Sequence, residues 1–191
     1  SFPGAASAQN DTLSVIDNIL SNGKAGLFDL NVNQKMKCQY AQSILGSMNE
    51  YTPFIIYGQP MPEQSLKDVR DIILAEIEKL KKGEFSDDLL PSVINNLKLD
   101  YNTSLESNEW RANQFVDAFI NGEKWEDKVD YINRVSKITK KQIMAFAQKY
   151  FNDDYAIVYK EEGIDNTQKK IDKPQITAIP SNHDLQSAFV T

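Results

Sequence analysis

The sequence predicts an α+β domain in which several helices pack on one face of a small antiparallel sheet. Two neighbouring apolar segments, 37–48 and 52–57, have the composition of strands. Helical segments with apolar stripes follow them, and a last strand-like run stands at 155–159. Because strands and helices do not alternate one for one, a doubly wound parallel sheet does not fit, whereas helices gathered on an antiparallel sheet do.

The first predicted helix occupies residues 11–21. Its apolar residues recur at helical spacings, namely Leu13, Ile16 and Leu20. Asn22-Gly23 is expected to end it, because both residues tolerate the left-handed conformation of a helix terminus. Residues 26–36 fit a helix that turns into a strand.

The two strand-like segments predict a hairpin. Residues 37–48 and 52–57 would form antiparallel strands, joined by a tight turn at 49–51. Pro53 places the start of the second strand at an edge or at its first residue. Cys38 is the single cysteine of the chain, so no internal disulfide is possible, and we expect a buried, unreactive thiol.

Five helices are predicted after the hairpin. The first begins at a capping box of Ser65 and Asp68 and ends at Gly83. The others are a helix from 86–88 through an apolar stripe ending at Leu105, a helix at 107–121, a short helix at 125–135, and a helix capped by Thr139 and Gln142. Ile73, Ile77, Leu97, Phe115 and Phe146 are expected to be buried on the faces that cover the sheet.

The aromatic residues of the 107–121 helix are Trp110, Phe115 and Phe119. An aromatic stripe at helical spacing commonly faces the core, because aromatic side chains contribute much of core burial. We therefore expect this stripe to be internal. A small-molecule pocket built on Trp110 and Phe115 is the alternative.

Two parts of the chain differ in composition. Residues 1–163 have the pattern of a single α+β domain. Residues 164–191 are polar and lysine-rich at first and carry Pro174 and Pro180, which predicts an extended linker or tail toward a following domain.

Charge and hydropathy exclude two classes of function. The chain of 191 residues has a net charge of −6 and a pI near 4.9, with no basic face for nucleic acid. No stretch reaches the roughly 18 consecutive apolar residues of a membrane span.

The side chains needed for catalysis are scarce. His183 is the only histidine and lies in the predicted tail. Zinc sites use three or four protein ligands, mainly His and Cys, and a Ser/His/Asp site would need His183 as its base. Glu76 and Glu78 lie on the 66–83 helix without evident partners and are expected to be surface charges. The sequence therefore predicts no catalytic, cofactor-binding or metal-binding residue.

Several runs follow one another in a recognisable order. They are VIDNILSNG at 15–23 with GLF at 26–28, the hairpin at 37–57, the helix at 66–83, FSDDLL at 85–90, and ITKKQI at 138–143 leading into KYF at 149–151. Over about residues 1–163, they resemble the non-catalytic unit of the pitrilysin/insulinase family of zinc metallopeptidases. Catalytic units of that family carry an H-x-x-E-H motif where the 11–21 helix here offers Asp11, Asp17 and Asn18, so no catalytic residue carries over.

The resemblance implies a function beside catalysis. Such a unit pairs with a catalytic metallopeptidase unit of the same or a partner chain and forms a wall around the peptide substrate, with the zinc held by that partner unit. It also implies that part of the first strand is truncated here. A stand-alone scaffold or interaction subunit and an unrelated small-molecule binding domain are the alternatives.

Overall fold

The structure is a computed structural model that describes residues 1–163, 167, 171–177 and 189. Contacts divide the chain into two units, Ser1–Ile157 and Val158–Thr191. The strands are β1 (Phe2–Pro3), β2 (Tyr40–Leu45), β3 (Tyr51–Thr52) and β4 (Phe54–Gln59). The helices are α1 (Gln9–Leu20), α2 (Leu66–Lys82), α3 (Leu89–Ser104), α4 (Asn108–Asn121), α5 (Trp125–Val129), α6 (Tyr131–Val135) and α7 (Lys140–Tyr150), with a π-helical turn at Asp29–Asn33.

The strands form two antiparallel ladders, and the predicted fold class is confirmed. β2 pairs with β4, with Leu45 opposite Phe54 at one end and Tyr40 opposite Gln59 at the other. β1 pairs with β3. The predicted tight turn at 49–51 is wrong, because the β2–β4 connection spans residues 46–53 and contains β3. Residues 51–52 of β3 pair with residues 2–3 of β1. This is a long-range contact, which local turn propensity does not encode.

The core is built around α1, which packs against β1, β2, α3, α6 and α7. Its apolar side chains have no exposed surface, namely Leu13, Val15, Ile16, Ile19 and Leu20. These five residues lie within an arc of roughly 160° at 100° per residue, and none of the other residues of α1 is fully exposed, as expected of a helix enclosed by other elements. The predicted helix therefore becomes the centre of the domain.

Helix α2 covers the hairpin and packs against β4 and α7. The predicted capping box of Ser65 and Asp68 is confirmed, and Gly83 ends the helix with φ +70°. Gly58 allows the close approach of strand and helix, because a Cβ there would lie 2.6 Å from Val69 Cγ1 and 2.7 Å from Ile73 Cδ1.

The predicted strand at 155–159 is not formed. All five residues are exposed, and no ladder includes them. Their aromatic and β-branched composition favours a strand only where a neighbouring strand provides hydrogen bonds and one face is buried, and no other described strand pairs with them.

The core residues expected from the sequence have different outcomes. Ile77 is buried, and Ile73, Leu97 and Phe146 are half-buried against the core cluster. Cys38 is buried as expected, and burial raises the pKa of its thiol, opposed by a backbone hydrogen bond at Tyr40. Phe115 was expected in the core and is 58% exposed, so that prediction is wrong.

Candidate functional site

The β2–β4 hairpin has one covered and one open face. Ala41 and Ser43 are buried on the covered face, and α2 packs over β4. On the opposite face, register places three cross-strand pairs side by side: Tyr40 with Gln59, Gln42 with Tyr57, and Ile44 with Ile55. We call these six residues the open sheet face.

The open sheet face combines apolar area with hydrogen-bonding capacity. Tyr40, Ile44, Ile55 and Tyr57 are each 41–52% exposed. Between them lie Gln42, whose amide oxygen accepts a hydrogen bond from the Tyr40 hydroxyl, and Gln59. None of the six side chains carries a charge at neutral pH. Aromatic rings and primary amides together match a polypeptide, which offers apolar side chains and backbone amides at once.

The outer edge of β2 is closed by side chains. Asn33 receives the Ala41 N–H on Oδ1 at 2.8 Å and donates from Nδ2 to the Ala41 carbonyl at 2.9 Å. The Ser21 hydroxyl accepts the Ser43 N–H at 2.9 Å. Since these side chains take the backbone groups that another strand would need, this edge is protected against strand addition.

The outer edge of β4 is different. In the β2–β4 register, the odd-numbered residues of β4 bond to β2, so the backbone groups of Phe54, Ile56 and Gly58 point away from it. Within residues 1–163, no other strand pairs with that side of β4. An extended segment could therefore add to the hairpin at β4, beside the open sheet face.

A polar hollow lies beside the closed edge of β2. Its lining is Ser21, Gly23, Asp29, Asn33, Gln34, Tyr40, Gln42 and Ser43. Asp29 is buried, and its Oδ2 accepts the backbone N–H groups of Asn22 and Gly26, each at 2.9 Å. The carboxylate that could make this hollow reactive therefore holds the loop after α1.

The three polar residues that α1 offers in place of a zinc motif do not converge. Asp11 accepts two hydrogen bonds from the Arg134 guanidinium, at 2.7 and 3.1 Å. Asn18 donates to the Ser14 carbonyl one turn earlier. Burial raises the pKa of Asp17, opposed by a hydrogen bond from Ser43. Their chemistry does not fit zinc, and the described residues contain no group of three or more metal-ligating side chains. His183 lies outside the described residues.

The expectation that Glu76 is a partnerless surface charge is wrong. Glu76 is 1% exposed and accepts hydrogen bonds from Asn31 Nδ2 at 2.8 Å and Lys79 Nζ at 2.7 Å. It thereby ties α2 to the π-helical turn. Glu78 is exposed as expected but forms an ion pair with Lys81 at 2.6 Å. The helical periodicity of α2 did not reveal the burial of Glu76, because Asn31 approaches it from 45 residues away.

Phe115 and Phe119 of α4 face solvent rather than the core, so the expectation of an internal aromatic stripe is wrong for both. Ala118 is the buried residue of α4. The exposed apolar residues are Phe115, Val116, Phe119 and Ile120 of α4, together with Trp125 and Val129 of α5. We call these six residues the α4–α5 apolar face. Trp110 lies outside it, half-buried and in edge-to-face contact with Tyr101 at 5.6 Å.

A model of a known protein family matches the first half of the chain. The model described as the peptidase M16 inactive domain matches residues 1–97, which include α1, the hairpin and α2. The chain belongs to this family. The family predicted from the sequence is therefore confirmed, and the fold described above is that of an M16 inactive domain.

One curated relative agrees with this assignment. The M16 inactive domain is 25% identical over 142 residues to the zinc protease PqqE of Helicobacter pylori, covering 74% of this chain and 32% of that protein. It thus spans about a third of the length of that relative.

Solved structures share the fold. A protease from Helicobacter pylori superposes with a TM-score of 0.72 at 24% identity, covering 80% of this chain and 37% of that one. The inactive peptidase domain of a candidate zinc protease from Bordetella parapertussis gives a TM-score of 0.70 at 15% identity, covering 80% and 82%. Among the residues that the structure describes, no helix has the length and apolarity needed to cross a bilayer.

Proposed function

We propose that this M16 inactive domain forms one wall of a peptide-binding chamber beside a zinc-bearing catalytic unit of the same protein or of a partner chain. The observation that carries the proposal is the open sheet face. It is uncovered on one side of the hairpin, uncharged, and rich in aromatic and amide groups. In an inactive peptidase domain, such a face is suited to contact the peptide while the catalytic unit cleaves it.

The zinc would belong to the partner unit. This chain has one histidine and one cysteine, and α1 carries Asp11, Asp17 and Asn18 where the catalytic motif of the family would place its ligands. The contribution of this domain would then be to position the peptide, which lowers the entropic cost of reaching the transition state.

A variant of the open sheet face tests the proposal in the full-length protein. Tyr57→Asp places a charge at the centre of the face without touching a buried residue. We expect kcat/KM for peptide cleavage to fall roughly tenfold or more, as for a contact residue at a binding hot spot, with zinc content unchanged. Leu99→Asp is the matched control, since Leu99 is 63% exposed on α3. Equal activity of the two variants would contradict a peptide contact at this face.

A stand-alone interaction subunit is the second candidate, favoured by the exposed α4–α5 apolar face. An H-x-x-E-H region, either in the source protein or in a chain that copurifies with it, separates the two proposals, because only the first requires such a catalytic unit. None of these aromatic residues lines the hollow beside β2 or a second hollow on α2 that includes Ile72, Glu76 and Lys79, so neither hollow supports a small-molecule site on them.

A further inference from the structure

The amphipathic helix α4 is oriented opposite to the usual arrangement. At 100° per residue, Phe115, Phe119, Val116 and Ile120 share one face of the helix. They are 52–88% exposed, whereas Ala118, which lies outside this stripe, is buried. A helix normally turns its apolar stripe to the core. The reversed orientation indicates that the stripe is available for contact with another molecule.

Helix α5 extends this stripe into a platform. The rings of Phe115 and Trp125 stack at 4.1 Å with 16° between their planes. An ion pair of Glu123 and Lys128 at 2.7 Å fixes the end of α4 to α5. The exposed apolar area is of the order of several hundred Å², which is larger than the scattered apolar residues of an ordinary monomer surface and is typical of an interaction site.

The charges bordering the platform are mostly negative. Lys124 and Arg111 are the exposed cations of this region, and the Arg111 guanidinium donates to the Leu105 carbonyl at 2.8 Å. The exposed carboxylates are Glu109 and Asp117 on α4 and Glu126 and Asp127 on α5. An occupant that combines apolar residues with Lys or Arg matches both the platform and its border.

From this combination, we propose that the α4–α5 apolar face binds a polypeptide segment in which Lys or Arg residues alternate with apolar residues. A flexible peptide suits this face, because it can follow the exposed surface of two helices without having to match their shape in advance. A second copy of this chain would bring the same excess of carboxylates and be repelled. The inference does not depend on the chamber-wall proposal, because it concerns a different surface of the domain.

Trp125 provides a direct readout of binding. The chain has two tryptophans, so in a Trp110→Phe background the fluorescence reports Trp125 alone. The probe is a synthetic peptide of three Lys-Leu-Phe-Lys repeats, and its control carries Glu in place of every Lys. We expect a saturable blue shift with the lysine peptide that weakens as salt is raised, and no saturable shift with the glutamate peptide.

Two substitutions locate the site. Phe119→Ser should weaken binding of the lysine peptide roughly tenfold or more, since an anchoring aromatic residue is a typical hot spot. Leu99→Ser removes an exposed apolar residue elsewhere and should leave the affinity unchanged. Because Phe119 is 88% exposed, its replacement should not affect folding, and circular dichroism verifies this.

Equal affinity for the two peptides, or no effect of Phe119→Ser, would overturn the inference. So would evidence for another occupant, either concentration-dependent dimerisation through this face in sedimentation velocity or a Trp125 shift with phosphatidylcholine vesicles alone. A failure of this inference can be distinguished from a failure of the proposed function. Peptide binding with undiminished activity of the Tyr57→Asp protein would uphold this face and reject the chamber wall, whereas the converse results would reject this face alone.

Discussion

At the scale of single residues, buried carboxylates of this domain serve packing. Asp29 holds the loop after α1 through two backbone N–H groups, and Glu76 joins α2 to the π-helical turn through Asn31. Asp29 accepts from backbone N–H groups, whereas Glu76 also forms an ion pair with Lys79 Nζ at 2.7 Å. Both compensate the cost of burial with hydrogen bonds, as buried charges in folded proteins usually do.

Glu76 and Glu78 form a matched pair for measuring this role, since they lie on the same helix. Glu76→Ala should lower the free energy of unfolding by about 1–3 kcal/mol, because it removes the buried acceptor of the Asn31 amide. Glu78→Ala should have no measurable effect, since Glu78 and Lys81 form a solvated surface pair. Urea unfolding of both variants is the measurement, and equal losses would contradict the structural role of Glu76.

Asp17 should make stability depend on pH. Burial raises its folded-state pKa above the ordinary value of 3.8, so its contribution to stability is present while the carboxyl is protonated and is lost as the pH rises through the folded-state pKa. Asp17→Asn stays neutral and should therefore gain stability relative to the parent chain as the pH rises above the ordinary carboxyl value of 3.8. A difference in unfolding free energy that is constant or shrinks as the pH rises would refute this assignment.

At the scale of elements, α2 and α4 contribute differently to the domain. α2 buries Val69, Ile77 and Leu80 between β4 and α7, whereas α4 buries Ala118 alone. Most of the stability of a helix comes from its packed apolar face. The fold should therefore depend on the side chains of α2 far more than on those of α4.

Alanine substitutions compare the two helices. Ile77→Ala should cost about 2–5 kcal/mol, a large part of a total stability of roughly 5–15 kcal/mol. Phe115→Ala should cost roughly 0.5–1.5 kcal/mol, the value of its stack on Trp125. Midpoints of urea unfolding report both changes. Equal losses would contradict this comparison, because they would require Phe115 to be packed in the core.

Local sequence signals were enough to predict the helices. Features that depend on contacts between distant residues could not be predicted in the same way. The caps at Ser65 and Thr139 are formed as predicted, because capping involves residues three positions apart. Periodicity grouped Phe115 and Phe119 on one face of α4, but it could not show which face of the helix packs against the core. The Asn33 side chain that closes the edge of β2 gave no sequence signal, since its contact with Ala41 depends on the path of the intervening turn.

At the scale of the whole molecule, the described residues from 158 onward leave their apolar side chains exposed. Residues 158–163 and 171–177 are exposed, including Val158 at 91% and Ile176 at 93%. The boundary between the domain at 1–163 and the tail at 164–191 stays a prediction. A chain ending at residue 163 should have the same midpoint of denaturant unfolding as the full chain. A lower midpoint for the shortened chain would contradict this boundary.

The most direct test of the account is peptide cleavage by the catalytic unit with and without this domain. Residues 1–163 are deleted from the full-length protein, kcat/KM is measured for a peptide substrate, and the isolated domain is then added in trans. We predict that the isolated domain cleaves nothing, that the deletion lowers kcat/KM at unchanged zinc content, and that the added domain restores part of the loss. Undiminished cleavage by a stably folded deletion protein would contradict the chamber-wall function.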